Sequence, residues 1–249
     1  NPNLGIYGNS DKCALLHGDA ELFCWLEGDD ALEPDVFKGV QEYITINNVD
    51  VNEAVGIFCD YSSVNPMGEK FTHPNKKILS GKAPLSLFVR GLVSWRASFF
   101  SQKVINQFEP TILDRGLALA ELLFDSQWFR NVKKIYYCPI KGSIYYTEIG
   151  VSTQLGYQSS FKKEQALTKW TYFLENGFAI DKMDEYWFKF KVLQTKGLIE
   201  PTFGVLLKAI FFYFIGMYGY GFLHYSKFKS NFVPIVRCLI KKCCLLYTS

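Results

Sequence analysis

The apolar run from Glu21 to Leu26 ends abruptly in Glu27-Gly28-Asp29-Asp30, and this junction constrains the chain more than any other stretch. Leu22, Phe23, Cys24, Trp25 and Leu26 read as a strand buried on both sides, as strands are in an α/β sheet covered by helices. Ligands of such sheets bind beyond the carboxyl ends of the strands, so Asp29 and Asp30 stand where a ligand would be met. The hard oxygens of adjacent carboxylates suit Mg²⁺ or Mn²⁺, and a cation held this way keeps coordination sites open for substrate phosphates. An acidic turn before a helix would use the same residues, because Pro34 suits a first helical turn and acids favour a helix start. The spacing leaves both readings open.

Further elements follow from periodicity. Ser10 to Leu16 reads as a short helix, and Pro34 to Ile44 carries Val36, Phe37, Val40, Tyr43 and Ile44 at helical spacing. Ala54 to Tyr61 and Val132 to Cys138 read as strands. Asn65-Pro66-Met67-Gly68 and His73-Pro74-Asn75 mark turns, and Lys76, Lys77 and Lys82 form a basic loop. Asp114 stands before an apolar-periodic helix, a position where Asp serves as a cap.

Asn3-x-Gly5-x-x-x-Asn9, a short helix, Gly18-Asp19, the apolar strand, the acidic doublet and Pro34 together resemble the nucleotide-binding half of family 2 glycosyltransferases. The likeness continues, more weakly, to about residue 155. It implies a GT-A type α/β fold, a mixed and mostly parallel sheet flanked by helices, with residues 1–155 as catalytic domain. It implies a nucleotide-sugar donor near Asn3, Gly5, Asn9, Glu27, Asp29 and Asp30, with Mn²⁺ or Mg²⁺ on Asp29, or on Asp30 as second choice. Glu27 stands where the family usually has its first Asp. Phe108 to Pro139 resembles the segment that supplies the catalytic base; the family's common Glu-Asp is here Leu113-Asp114, which leaves Asp114 as the implied base. Gly91 to Arg96, with Trp95 and Arg96, is the implied acceptor surface. The implied activity is an inverting, metal-dependent sugar transfer to a hydroxyl of a glycan or lipid-linked acceptor, in polysaccharide or glycoconjugate assembly. A nucleotidyltransferase of similar fold and a non-catalytic, membrane-associated binding protein derived from the fold are the alternatives.

At 249 residues the chain is long enough for one catalytic domain and an extension, and its net charge of +3, without a basic stripe of interleaved aromatics, gives no reason to expect nucleic acid. Cys13, Cys24, Cys59, Cys138, Cys238, Cys243 and Cys244 form no metal-ligand spacing, and the first four fall in apolar elements as small hydrophobes. A reducing, cytoplasmic setting is the simplest expectation. The chain opens at a point that, in the family, follows the first nucleotide-binding strands, so it reads as a fragment. Cys244-Leu245-Leu246-Tyr247-Thr248-Ser249 matches the translation of a transposon-derived sequencing adapter, so residues 244–249 are expected not to belong to the protein.

Residues 156–243 read as a helical extension. Phe161 to Asn176 ends at Gly177, Lys182 to Lys196 ends at Gly197, and Phe203 to Tyr225 is apolar apart from Lys208 and His224. The last stretch is long enough to cross a bilayer. Its glycines and the flanking Lys227, Lys229, Arg237, Lys241 and Lys242 favour instead a helix lying at a membrane surface, with the protein peripheral on the inner face.

Overall fold

The structure, a computed structural model, describes residues 18–26, 30–73, 82–94, 96–107, 126–147, 160–220, 231–237 and 240. The apolar runs of the first part become six strands: β1 (Leu22–Cys24), β2 (Ala31–Leu32), β3 (Val55–Val64), β4 (Lys70–His73), β5 (Ser98–Ser101) and β6 (Lys134–Tyr146). They form one sheet in the order β1-β5-β3-β6-β2, with β4 also paired to β3. β3 and β6 run parallel, from Val55 opposite Lys134 to Val64 opposite Tyr146. Every other pair is antiparallel. The fold is therefore mixed α/β, and the expected predominance of parallel strands does not hold among the described residues.

The reason lies partly in the connections. β3 returns as β4 through a turn in which the Asn65 side chain accepts from the amides of Met67 and Glu69, at 3.0 and 2.9 Å, with Gly68 at φ 80°. So short a link permits only antiparallel pairing. The β3–β6 register shifts between Cys59 and Asp60 and again between Asp60 and Tyr61, a bulge that bends the long strands. At the same point the other edge of β3 changes partner: Gly56 to Phe58 pair with β5, whereas Tyr61 to Val64 pair with β4.

Both faces of the sheet are covered. Helix α1 (Val36–Asn47) lays Val36 and Val40 against Val55, Ile57, Cys59, Phe99 and Cys138. The other face carries a ring cluster in which Phe58 meets Phe129 at 5.6 Å and Phe100 meets Trp128 at 5.2 Å. Phe88 of α2 (Pro84–Val89) stacks on Phe129 at 4.1 Å, and α3 (Gln102–Ile105) follows β5 directly. Cys24, Cys59 and Cys138 form no disulfide, and burial pushes Cys24 up to about 12, in keeping with small hydrophobes. α1 starts at Val36 and not at Pro34. The unforeseen β2 takes up Ala31 and Leu32, the Glu33 amide extends its pairing by donating to the Gly142 carbonyl, and Asp35 turns the chain at φ 60°.

The chain divides into two compact units, residues 1–156 and 157–249. In the second, α4 (Ser160–Glu175), α5 (Lys182–Ile199) and α6 (Phe203–Gly216) pack around Phe173, Trp187, Phe188, Phe190 and Tyr213. Asp181 and Thr202 cap α5 and α6 by accepting from the amides of Asp184 and Val205. Gly177 ends α4's turn at φ 67°. Gly197 does not end α5 but lies inside it: a Cβ there would stand 2.6 Å from the Leu206 side chain, so its absence lets α5 and α6 touch. α6 is 14 residues and closes at Gly216, short of Tyr225. At about 1.5 Å per residue it spans roughly 21 Å, less than the ~30 Å hydrocarbon core. Among the described residues no helix is long and apolar enough to cross a membrane.

Gly142 is the tightest point of the β3–β6 pair, because a Cβ there would stand 2.5 Å from Ala97 Cβ and 3.0 Å from Cys59 Cβ. Neither neighbour has a flexible end that could swing away. Gly142→Ala is expected to destabilise the protein by about 1–3 kcal/mol through overpacking. Urea unfolding of parent and variant, compared by midpoint, checks this.

Candidate functional site

β1 and β2 lie at opposite ends of the strand order. Cys24 of β1 lies level with Phe99 and hence with Ile57 of β3, and Ala31 lies opposite Ile144, close to the carboxyl end of β6. Asp30, one residue before Ala31, therefore stands near the carboxyl end of the parallel pair. The Asp30 side chain is only 2 % exposed there, and its Oδ2 faces Arg96 Nε at 3.5 Å. Arg96 arrives from the residues just before β5, which are redirected where β3 changes partner; the Cys59 amide donates to the Ala97 carbonyl at 3.0 Å, and Ala97 holds φ 60°.

Arg96 is also set against an aromatic pair. Its guanidinium carbon lies 4.1 Å from the centre of the Tyr145 ring, a cation–π geometry. Tyr61 stands beside both: burial pushes its phenol above the ordinary range, while the Arg96 cation works against that rise and Tyr145 adds to it. The Tyr61 ring stacks on His73 at 4.7 Å. Ser63 Oγ and His73 Nε2 are 2.7 Å apart, with the direction of donation set by the ring's tautomer. Tyr61 and Ser63 share a face of β3, His73 is registered with Tyr61, and Tyr145 with Ser63. The result is one polar and aromatic surface built from residues far apart in sequence.

The opposite face carries a second polar set. Glu33 accepts from Ser62 Oγ at 3.1 Å and pairs with Lys70 at 2.6 Å. Asp60, at the bulge, accepts from the Tyr137 hydroxyl at 2.9 and 3.1 Å; burial first and this bond second push Tyr137 up to about 12. An open groove of about 450 Å³, lined by Glu33, Asp35, Lys38, Ile140 and Lys141 among others, adjoins the start of α1.

Of the residues singled out from sequence, Asp30 and Arg96 are described, and the structure brings them together. Asn3, Gly5, Asn9, Glu27, Asp29, Trp95 and Asp114 lie outside the described residues. Tyr61, Ser63, His73 and Tyr145 had not been singled out for a site. Their only signal is the alternation of Tyr and Ser in Tyr61-Ser62-Ser63 and in Ser143-Ile144-Tyr145, polar residues along one face of otherwise apolar strands. His73, read as a turn residue, is the last residue of β4.

Among the described residues no three His, Cys, Asp or Glu side chains gather as a metal-ligand set. Asp30 offers one hard carboxylate, and a Mg²⁺-type cation is commonly held by one or two carboxylates together with substrate phosphates. The donor type fits, with the condition that the carboxylate be shared with Arg96.

Burial lowers the His73 ring below its ordinary value of 6.5, so the folded state favours the neutral imidazole that meets Ser63. A folded ring that binds its proton more weakly than the unfolded one contributes full stability above that value and loses it as pH falls below. The urea midpoint is therefore expected to drop between about pH 7.5 and about pH 5.5, and to drop less in His73→Gln. Equal pH dependence in parent and variant would refute this.

No protein-family model matches the chain, and no curated protein or solved structure matches it either.

Proposed function

We propose that the first unit transfers a sugar from a nucleotide-sugar donor to a hydroxyl of a glycan or lipid-linked acceptor, with inversion, at the carboxyl ends of β3 and β6. The proposed arrangement is of GT-A type. The observation that supports it is the pairing of Asp30 with Arg96. The resemblance places the first on the donor side and the second on the acceptor side, and in the fold they are in contact.

The chemistry of the surface suits that reaction. A buried carboxylate held by a guanidinium has a fixed direction, as a cation bridging it to a donor diphosphate would require. The planar Arg96 fork is itself a phosphate-binding shape, and the Tyr145 ring against it orients the fork without consuming its N–H donors. Tyr61 and Tyr145 offer ring faces against which the C–H side of a sugar packs. When bound at Asp29 or Asp30, Mn²⁺ or Mg²⁺ would supply charge neutralisation to the departing diphosphate. Asp114 is assigned the proton of the acceptor hydroxyl, on the resemblance alone.

The test is calorimetric titration of the chain with uridine and guanosine diphosphate, with Mn²⁺ or with chelator. Metal-dependent binding is expected, and Asp30→Asn or Arg96→Ala should weaken it by roughly ten- to a hundredfold, the worth of one charged hydrogen bond. Asp114→Asn should leave that binding intact and slow sugar transfer by about 10²- to 10⁴-fold. If neither diphosphate binds, or Asp30→Asn binds as the parent does, the reading fails.

A further inference from the structure

α6 is apolar on two sides, and among the described residues the second side stays largely exposed. Leu206, Ala209, Tyr213 and Gly216 face α5 and the unit's core. Phe203, Leu207, Phe211, Phe214 and Tyr218 follow one another at steps of four, four, three and four, so they line a single stripe along and just past the helix, and all of them are exposed. Phe211 is 59 % and Tyr218 68 % exposed. The apolar residues of this stretch are thus sorted by the fold: Met217 is core, Phe212 stacks on Tyr186 at 5.8 Å, Phe214 meets Phe232 edge-on at 6.0 Å while staying exposed, and Phe211 faces outward.

Charge says what covers the stripe. No Asp or Glu follows Glu200, whereas Lys208, Lys227, Lys229, Arg237, Lys241 and Lys242 do. Lys208 is exposed and lies three residues from Phe211, one turn away at the edge of the stripe, where its stem can lie along apolar surface and its ammonium can reach outward. A second copy of the same surface would bring like charges together. An acidic protein would be served by the cations but not by a straight row of exposed rings. An anionic lipid surface answers both features, since rings enter the boundary between headgroup and acyl chain while lysines meet the headgroups.

We propose that α6 seats the second unit on anionic membranes, lying in the plane of the surface with Phe203, Leu207, Phe211, Phe214 and Tyr218 inserted. A helix of 14 residues lies flat and does not span. This inference stands apart from the sugar-transfer reading.

The experiment is co-sedimentation of the 249-residue chain with vesicles of about 70 % phosphatidylcholine and about 30 % phosphatidylserine, beside phosphatidylcholine alone, at low and high salt. Binding to the anionic vesicles is expected, weakened but not abolished by salt, and much weaker on phosphatidylcholine. Phe211→Gln with Phe214→Gln should lower the partition by roughly tenfold or more. Both positions are exposed, so circular dichroism should show the fold retained. Lys208→Glu provides a second variant, expected to weaken binding to anionic vesicles and leave the phosphatidylcholine background unchanged. Failure of the parent to sediment, or equal sedimentation of parent and both variants, overturns the proposal. A parent that ignores vesicles but is a dimer, broken by the Phe211 and Phe214 changes, overturns it in favour of self-association.

Discussion

The parallel pairing of β3 with β6, and the break in its register at Asp60, is the constraint on which the rest of the first unit depends. Before the break the pair is ordinary core: Val55, Ile57 and Cys59 face α1, and Phe58 faces the ring cluster. At the break the edge of β3 is handed from β5 to β4, and the residues leading into β5 turn at Ala97, whose carbonyl still accepts from the Cys59 amide. Arg96, just before that turn, faces Tyr145 and Asp30. Gly142 makes the junction possible, because the Ala97 and Cys59 side chains already occupy the space a Cβ would need. An apolar half and a polar half of one long strand pair thus follow from one bulge and one exchange of neighbours.

The polar half is costly to build. An ion pair withdrawn from water does not reliably stabilise a fold, because desolvation of both groups opposes their attraction. Asp30 is nearly inaccessible, so its pairing with Arg96 gives up hydration that a surface pair would keep. Apolar residues of similar volume would have packed there at less cost. Under the proposed function, ligand binding accounts for charged groups kept at the carboxyl ends of the parallel pair beside two tyrosine rings and His73. The Glu33–Lys70–Ser62 set on the other face, which ties β2 to the β3–β4 hairpin, has the simpler role of a brace.

Much of the fold was legible. The apolar run around Phe23, the strand at Ile57, the helix carrying Val36 and Val40, and the helices ending near Gly177 and beginning near Lys182 all stand where periodicity puts them, within a few residues. What misled were residues whose meaning depends on a neighbour. Gly197 reads as a helix end by composition, yet it is a contact glycine, because Leu206 of the next helix lies against it. Ala31 and Leu32 carry too few residues to signal a strand, and they become one only because the end of β6 offers an unpaired edge. His73 looks like the start of a Pro turn, and only the β3–β4 register sets its ring on Tyr61 and Ser63.

The sequence by itself determined the class and the inventory: apolar runs of strand and helix length, a carboxylate cluster after an early strand, and a C-terminal stretch without acids. Those follow from local periodicity and composition, which each segment carries with it. The direction of each strand, the meeting of Asp30 with Arg96, and the division of α6 into a packed side and an exposed row of rings were decided by tertiary structure. Strand direction depends on how connections close, and a side chain's exposure depends on which surface arrives opposite it. Neither is a property of any segment alone.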